Sequence, residues 1–390
     1  RMVYDLNPVS EEFTDFNETL SNAFEVNSVK HIPNAGLNFE GEKLRIGFNV
    51  GLLNTSLETN NLLMDISFDN NYNNLYLNST VRYEYKKGAS LFFRYSNDTD
   101  IPSIRQLQPV PDVSNPLNII VGNPELEPTF QQNFWLRLHN FDFASRTGIF
   151  ANASLSFSEN EVVPYTIIGE DLVRTTTYRN VDGGLNARIG GNYRKTIKKK
   201  ETEFEFGLGT YANYRKEIGF TNAVLYNADS YRIYPGISLG LNYNDLLEID
   251  LDYDLTYVYT NYDISNNREA EYLNHGISLE STSYWPKNWV FGNDISFNHY
   301  GNIPEGFDNT SLLWNMSLGY KFLDDDATIK LRVYDLLNEN ISTSRRAGQN
   351  FIQSETSLIL EQYFMLSFTY KISKFGGKDP NESGNNIFID

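Results

Sequence analysis

The stretch that most constrains this chain is its last strand-like run, Tyr363 to Ile372, which reads Tyr-Phe-Met-Leu-Ser-Phe-Thr-Tyr-Lys-Ile. Successive side chains of a strand point to opposite sides. Phe364, Leu366, Phe368, Tyr370 and Ile372 therefore share an apolar face, and Met365, Ser367, Thr369 and Lys371 a mostly polar one. In a soluble sandwich the apolar face packs on a second sheet. In a transmembrane barrel it meets lipid and the polar face lines a wet lumen.

The same period of two recurs along the chain. Leu44, Ile46, Phe48, Val50 and Leu52 alternate with Arg45, Gly47, Asn49 and Gly51. Leu312, Trp314, Met316, Leu318, Tyr320 and Phe322 oppose Asn315, Ser317, Gly319 and Lys321. Leu247, Ile249, Leu251, Tyr253, Leu255 and Tyr257 oppose Glu248, Asp250, Asp252 and Asp254, a face acidic enough to require water or cations. About fifteen strands are legible, many near the roughly 9 to 11 residues that cross a bilayer and longer than the usual 5 or 6 of globular sheets.

Composition decides between solvents. No run of about 20 apolar residues exists, so a helical membrane protein is excluded. Mean hydropathy is -0.44. That value fits membrane insertion in barrel form alone, because only every second residue of a strand touches lipid. The 26 Tyr and 26 Phe against 4 Met suit strands and interfacial girdles. A net charge of -18 argues against nucleic acid, whose binding rests on phosphate neutralisation. Absence of cysteine fits export without proving it. The opening Arg1-Met2-Val3-Tyr4-Asp5 has no signal-peptide character, so an exported protein is expected to continue upstream of it.

Connections alternate in length. Short turns fall at Glu40 to Lys43, Lys86 to Gly88, Asp142 to Thr147, Lys198 to Lys200, Asn244-Asp245, Pro286 to Asn288 and Asp324 to Asp326. Long links fall between them, among them Leu53 to Asn74, Ser96 to Thr129, Ser158 to Tyr178, Lys216 to Ser230 and Asn338 to Ser354. Short turns on the periplasmic side and long loops outside are the order of a bacterial barrel, and the strand count from Asp325 then brings the C-terminus to the periplasm. A soluble propeller has shorter strands and a repeated motif, which this chain lacks.

Two segments carry a likeness to a family. Ile101-Pro102-Ser103-Ile104-Arg105-Gln106-Leu107-Gln108-Pro109-Val110, continuing to Gly122-Asn123-Pro124-Glu125-Leu126-Glu127-Pro128, resembles the long loop of the outer-membrane β-barrel at the C-terminal end of Bacteroidetes-type TonB-dependent receptors. Val333-Tyr334-Asp335-Leu336-Leu337-Asn338-Glu339-Asn340 and the closing Tyr363 strand resemble the end of the same barrel. The likeness spans about Asn34 to Phe375. It implies an all-β, antiparallel transmembrane barrel of about twenty-two strands, of which some fifteen or sixteen are visible here. Residues 1–375 are then the C-terminal part of the barrel and 376–390 a polar tail. The resemblance also implies a plug domain upstream, energised uptake through the TonB complex, contact with outer-membrane lipid and a surface lipoprotein as partner. No cofactor and no enzymatic activity are expected. The ligand class is a siderophore, glycan or peptide; a non-transporting structural or adhesive barrel is the alternative, and a plugless porin a weaker one.

Site candidates follow. Proline at 102, 109, 111, 116, 124 and 128 stiffens the loop from Ile101 to Pro128, and loops beyond about 12 to 15 residues are usually functional or disordered. Arg105, Gln106 and Asn123 are its candidate ligand-binding residues; a purely scaffolding loop is the plainer reading. Glu248, Asp250, Asp252 and Asp254 suit cations, but roughly 7 Å steps along one strand favour a solvated wall paired with Arg or Lys from a neighbour. Lys198-Lys199-Lys200 reads as a solvated turn. His31, His139, His275 and His299 have no zinc-type spacing. His139 beside Asn140 and Asp142 invites a hydrolase reading, against which stands the lack of any nucleophile elbow.

Overall fold

The computed structural model describes residues 2–17, 21, 23–63, 66–264, 270–302, 309–339, 342–347, 352–357 and 361–371. Ile372 and the 376–390 tail lie outside them. The chain opens on a hairpin of β1 (Tyr4–Leu6) and β2 (Phe13–Phe16). β3 (Phe24–His31) and β4 (Asn34–Glu40) both pair with β5 (Leu44–Asn61) and form one stave interrupted at Ile32-Pro33. Proline lacks the N–H a ladder needs; its carbonyl still accepts from the Leu52 N–H.

Next come β6 (Ile66–Lys86), β7 (Ala89–Asp100), the one-turn helix α1 (Ile104–Leu107), β8 (Asn118–Ile120), β9 (Thr129–Asp142) and β10 (Thr147–Glu159). A hairpin of β11 (Glu161–Ile168) and β12 (Arg174–Val181) precedes β13 (Gly184–Lys199), β14 (Thr202–Thr221), β15 (Val224–Tyr243) and β16 (Leu247–Tyr262). The remainder is β17 (Ala270–Ser283), β18 (Trp289–Tyr300), β19 (Thr310–Phe322), β20 (Ala327–Tyr334), the small hairpin β21 (Ser342–Ala347) and β22 (Ile352–Ser357), and β23 (Tyr363–Tyr370).

Among the described residues one antiparallel ladder runs from β3/β4 through β5, β6, β7, β9, β10 and β13 to β20 and ends on β23. The sheet is rolled into a barrel. With β3 and β4 as one stave, that makes one, then five for β5 to β10, eight for β13 to β20, and β23: fifteen staves, the number legible in the sequence.

Some staves are far longer than a bilayer needs. β6 has 21 residues and β14 and β15 have 20 each, against about 9 to 11 for a crossing. The links expected at Leu53 to Asn74 and Lys216 to Ser230 are therefore mostly strand: β5 runs to Asn61 and β6 starts at Ile66, and β14 passes to β15 through a short turn at 222–223. The extensions of β5 and β6 are rich in Asn and Thr, as strand standing in water can be. An apolar face is not required of them there, and the alternation that marks the lower halves is lost.

Aromatic rows mark the height of the membrane on the outward face. At the short-turn end Trp289 meets Tyr320 at 5.0 Å, Tyr320 meets Phe322 at 6.4 Å and Phe322 meets Phe368 at 6.4 Å. At the other end Tyr214, Tyr231 and Tyr259 follow one another at 5.0 and 6.2 Å. Along β15 twelve residues separate Tyr231 from Tyr243. At about 3.3 Å per residue and a tilt near 40° that is a height of about 30 Å, enough for an apolar band of about 25 Å with its girdles.

Candidate functional site: the lumen and its mouth

The mouth is built by strands leaving the wall. β6 and β7 pair up to Asn78 and Ser96. Beyond that the Asn97 side chain replaces the ladder, accepting from the Leu77 N–H at 3.0 Å and donating to the Leu75 carbonyl at 2.7 Å. Lys30 of β3 donates to Asp98 at 2.7 Å and to the Thr99 carbonyl at 2.8 Å, tying the tip of β7 across to the first stave. The chain from Ile101 to Pro128 then folds back on the inward face of β5. Leu107 and Leu126 are fully buried against Leu57, with Val26, Tyr72, Ile101, Val162 and Tyr178 packed around them.

The β11–β12 hairpin completes this cap. β11 pairs parallel with β14 at Tyr165↔Phe220, and β12 pairs parallel with β8 at Thr175↔Ile119. Parallel pairs arise here because the hairpin is turned over relative to β10 and β13, from which it springs. Its pivots are Asn160 at φ 54 and Gly183 at φ 103, both in the left-handed region. A polar knot fixes them. The Asn180 amide donates to the Glu127 and Asn160 carbonyls, both at 2.8 Å, and accepts from the Glu127 N–H at 2.9 Å. The Asn160 side chain donates to the Glu127 carboxylate at 3.0 Å, and its N–H to Asp182 at 2.8 Å. Behind the knot, burial pushes the Glu161 carboxyl above its ordinary range; Arg215 opposes that rise and Glu217 adds to it.

The loop residues expected to meet a ligand sit within this cap. Gln106 accepts from the N–H and hydroxyl of Ser103, both at 2.8 Å. Asn123 donates to the Tyr178 carbonyl at 3.1 Å and accepts from the Glu125 N–H at 3.0 Å. Arg105 pairs with Asp112 at 3.2 Å, yet its side chain is 62% exposed and borders a hollow of about 350 Å³. Of the three, Arg105 has the most donor capacity turned outward. The knot and the Lys30 anchor were not legible in the sequence; Asn160 between two apolar runs was the one local signal.

Below the cap, the wall is polarised. Arg45 stands directly opposite Arg82, and Arg94, Arg137 and Arg188 continue the basic side over β7, β9 and β13 in the same facing. Arg137 stacks over Trp135 at 4.5 Å and Phe150 at 5.3 Å. On the other side, Asp250, Glu280 and Asp294 form one cross-strand row on β16, β17 and β18. The basic partners expected beside Asp250, Asp252 and Asp254 are not there. Their direct neighbours are Gly240, Ser238 and Gly236 on β15 and Glu280, Ser278 and Gly276 on β17.

The histidines do not assemble a catalytic group. His139 shares the facing of Phe150 while Asn140 shares that of Ile149, on the opposite side of the sheet. Asp142 caps its own turn, accepting from the Ala144 and Ser145 N–H groups, and these hold its carboxyl below the ordinary range. His275 lies outward against the Tyr253 hydroxyl at 2.8 Å and near His299. Among the described residues no group of three or more His, Cys, Asp or Glu is placed to hold a metal.

An apolar band between aromatic rows outside, a polar lumen inside and a loop cap at one end define an outer-membrane β-barrel. Residues 3–234 and 215–370 match the outer membrane protein beta-barrel family, and the chain belongs to it. Among solved structures it is similar to the siderophore receptor PirA from Acinetobacter baumannii (TM-score 0.33, 9% identity, 91% of this chain and 60% of that one). It is also similar to the outer membrane transporter YddB from Escherichia coli (0.25, 8%, 90% and 76%) and to OccK2 from Pseudomonas aeruginosa, solved in complex with glucuronate (0.24, 10%, 90% and 98%). The chain thus spans 60% of the length of the siderophore receptor. No curated protein matches it.

Proposed function

We propose that the chain is the C-terminal barrel portion of a TonB-dependent receptor of Bacteroidetes type that imports a bulky ligand, a siderophore, glycan or peptide. The observation that carries this reading is the inward-folded cap. The segment from Ile101 to Pro128 spends its apolar residues on a fixed fold across the mouth of a wide polar lumen, with Arg105 turned to the outside. That suits a receptor that captures first and admits later better than an open diffusion pore. A larger barrel of about twenty-two strands with a plug belongs to this reading; every residue of β4 and all but one of β23 are exposed, as at staves that lack a neighbour, whereas most residues of the mid-ladder stave β16 are half-buried. In this reading the short turns and the C-terminus face the periplasm and the cap faces outside.

The test is growth and uptake of labelled ligands across a panel of siderophores, glycans and peptides, in cells lacking the gene and in cells lacking TonB. High-affinity uptake of one ligand should vanish in both. Unchanged uptake across the panel would overturn the proposal. A structural or adhesive barrel is favoured by one feature, the complete burial of Leu107 and Leu126 that seals the cap. The sequence upstream of Arg1 separates the two: a plug domain there supports transport.

A further inference from the structure

We propose that a hollow in the inward face of β14 and β15 binds an organic cation, a ligand carrying a primary ammonium or guanidinium group. Three successive cross-strand rows build it. Tyr211 stands directly opposite Tyr234; in the rows below, Gly209 faces Gly236 and Gly207 faces Ser238. Removing side chains from these rows leaves a depression of about 330 Å³ under the tyrosine pair, the size of a small-ligand cleft. Tyr211 lies over Gly190 of β13, where a Cβ would fall 2.2 Å from its ring. The ring therefore depends on that glycine for its place. Tyr211 and Tyr234 are 45% and 39% exposed, so both present surface to the lumen.

The charge around the hollow is unequal. On the β13 edge Arg194 is closed by an ion pair with Glu205 at 3.0 Å. On the β16 edge Asp254 stands beside Gly236 and Asp252 beside Ser238, two residues apart on the same facing and hence roughly 7 Å from one another. Across them on β17 are Gly276 and Ser278, too short to bring a counter-charge. The unsatisfied charge of the hollow is thus negative. Carboxylates alone would not define a site; here they border a floored depression whose upper rim is two tyrosine rings, which attract cations through their faces.

A metal ion does not suit the arrangement. Its ligands must converge within about 2.0 to 2.6 Å, and among the described residues no three or more His, Cys, Asp or Glu side chains are placed to do so. An ammonium or guanidinium spreads its N–H donors over several Å and makes charge-assisted bonds to each carboxylate in turn. The physiological use of the site, recognition of a cationic group on a solute in the lumen, rests on the import reading above. Binding itself does not.

The experiment is calorimetric titration of the purified full-length protein in detergent with butylguanidinium, and with 1-butanol and butyrate as uncharged and anionic counterparts. Saturable binding of the cation alone is expected. Asp252→Asn with Asp254→Asn should weaken it about tenfold or more, and Tyr234→Leu by a few-fold. Gly209→Val should abolish it with both carboxylates intact, since a Cβ there meets nothing closer than 3.8 Å and the fold has room for it. Heat-modifiable migration on gels checks that each variant is folded, and Asp254→Asn alone stands in if the double variant is not. Absence of saturable binding, retention of binding in Gly209→Val, or equal displacement by an equal concentration of magnesium would overturn the site, the last by revealing only a counterion atmosphere. Because the readout is on purified protein, a failed uptake assay with binding intact rejects import and leaves the site standing.

Discussion

Replacing Ile237 by Arg tests the placement of the membrane directly. Ile237 lies six residues from Tyr231 and six from Tyr243 on β15, so these two outward tyrosines stand about 15 Å above and below it in height and the side chain sits near the bilayer midplane. It faces outward between Leu208 and Tyr253 and is 42% exposed. An arginine at that depth should cost about 2 to 4 kcal/mol, or roughly 30-fold to several-hundred-fold in the folding equilibrium. Leu318 also faces outward, but it is only two residues above Tyr320, about 5 Å into the band, and its row continues through Leu331 to Leu366. Leu318→Arg should therefore cost about 1 kcal/mol or less. Ser278 has the inward facing of Asp252, and Ser278→Arg should be near neutral because it meets a carboxylate. The assay is urea unfolding of the protein folded into phosphatidylcholine vesicles. Equal losses at Ile237 and Ser278 would mean a sheet packed on both faces; equal losses at Ile237 and Leu318 would mean that the rows do not mark the interface.

Three further outcomes concern the mouth. Asn180→Ala removes three hydrogen bonds of the knot and should loosen it by about 1 to 3 kcal/mol, read as faster hydrogen exchange over 161–181 with the staves below unchanged. Leu107→Ala empties part of a fully buried cluster and should cost the cap about 2 to 5 kcal/mol locally, seen as tryptic cleavage at Arg105 in the folded barrel. Glu161, whose carboxyl is raised mainly by burial, binds its proton more tightly folded than unfolded. The cap should then lose stability as pH rises from the unfolded carboxylate pKa through the raised folded one, and protection of 161–168 against exchange, taken relative to the intrinsic rate at each pH, should be greater at about pH 5 than at about pH 8. Glu161→Gln should flatten that difference; a cap equally protected at both values in the native protein would contradict the burial argument.

The barrel was legible because its lower halves obey one physical rule. From Leu44 to Leu52 and from Leu312 to Phe322 the outward residues must satisfy lipid and the inward ones water, so the period of two is plain, with Leu313 the one large apolar residue on the inward side. Strand ends were less legible for the same reason. Above the membrane both faces of β5, β6, β14 and β15 meet water or cap, neither demands alternation, and Asn-Thr-rich strand reads as loop. The inward acidic run of β16 was visible, whereas its lack of basic neighbours was not: which side chains flank Asp252 depends on register with β15 and β17, which brings Ser238 and Ser278, 14 and 26 residues away in the chain, to its sides.

The mouth marks the limit of such reading for a further reason. Val162, Val163, Thr175 and Thr177 suit any strand, and nothing in them selects a parallel neighbour. The selection is made elsewhere. Gly183 permits the kink between β12 and β13 that turns the hairpin over, Asn160 and Asn180 hold the two pivots against Glu127, and the apolar surface of Leu57, Leu107 and Leu126 gives the turned hairpin something to cover. These groups are drawn from segments as distant as β5 and β12. A single position in any of them carries little information, and their effect exists only when all are brought to one place. The stiff proline-rich loop announced itself in the sequence because its constraint is local. Its role as the floor on which a second hairpin is inverted is a property of the assembled mouth, which is why Asn180→Ala, remote from the loop in sequence, is the substitution expected to release it.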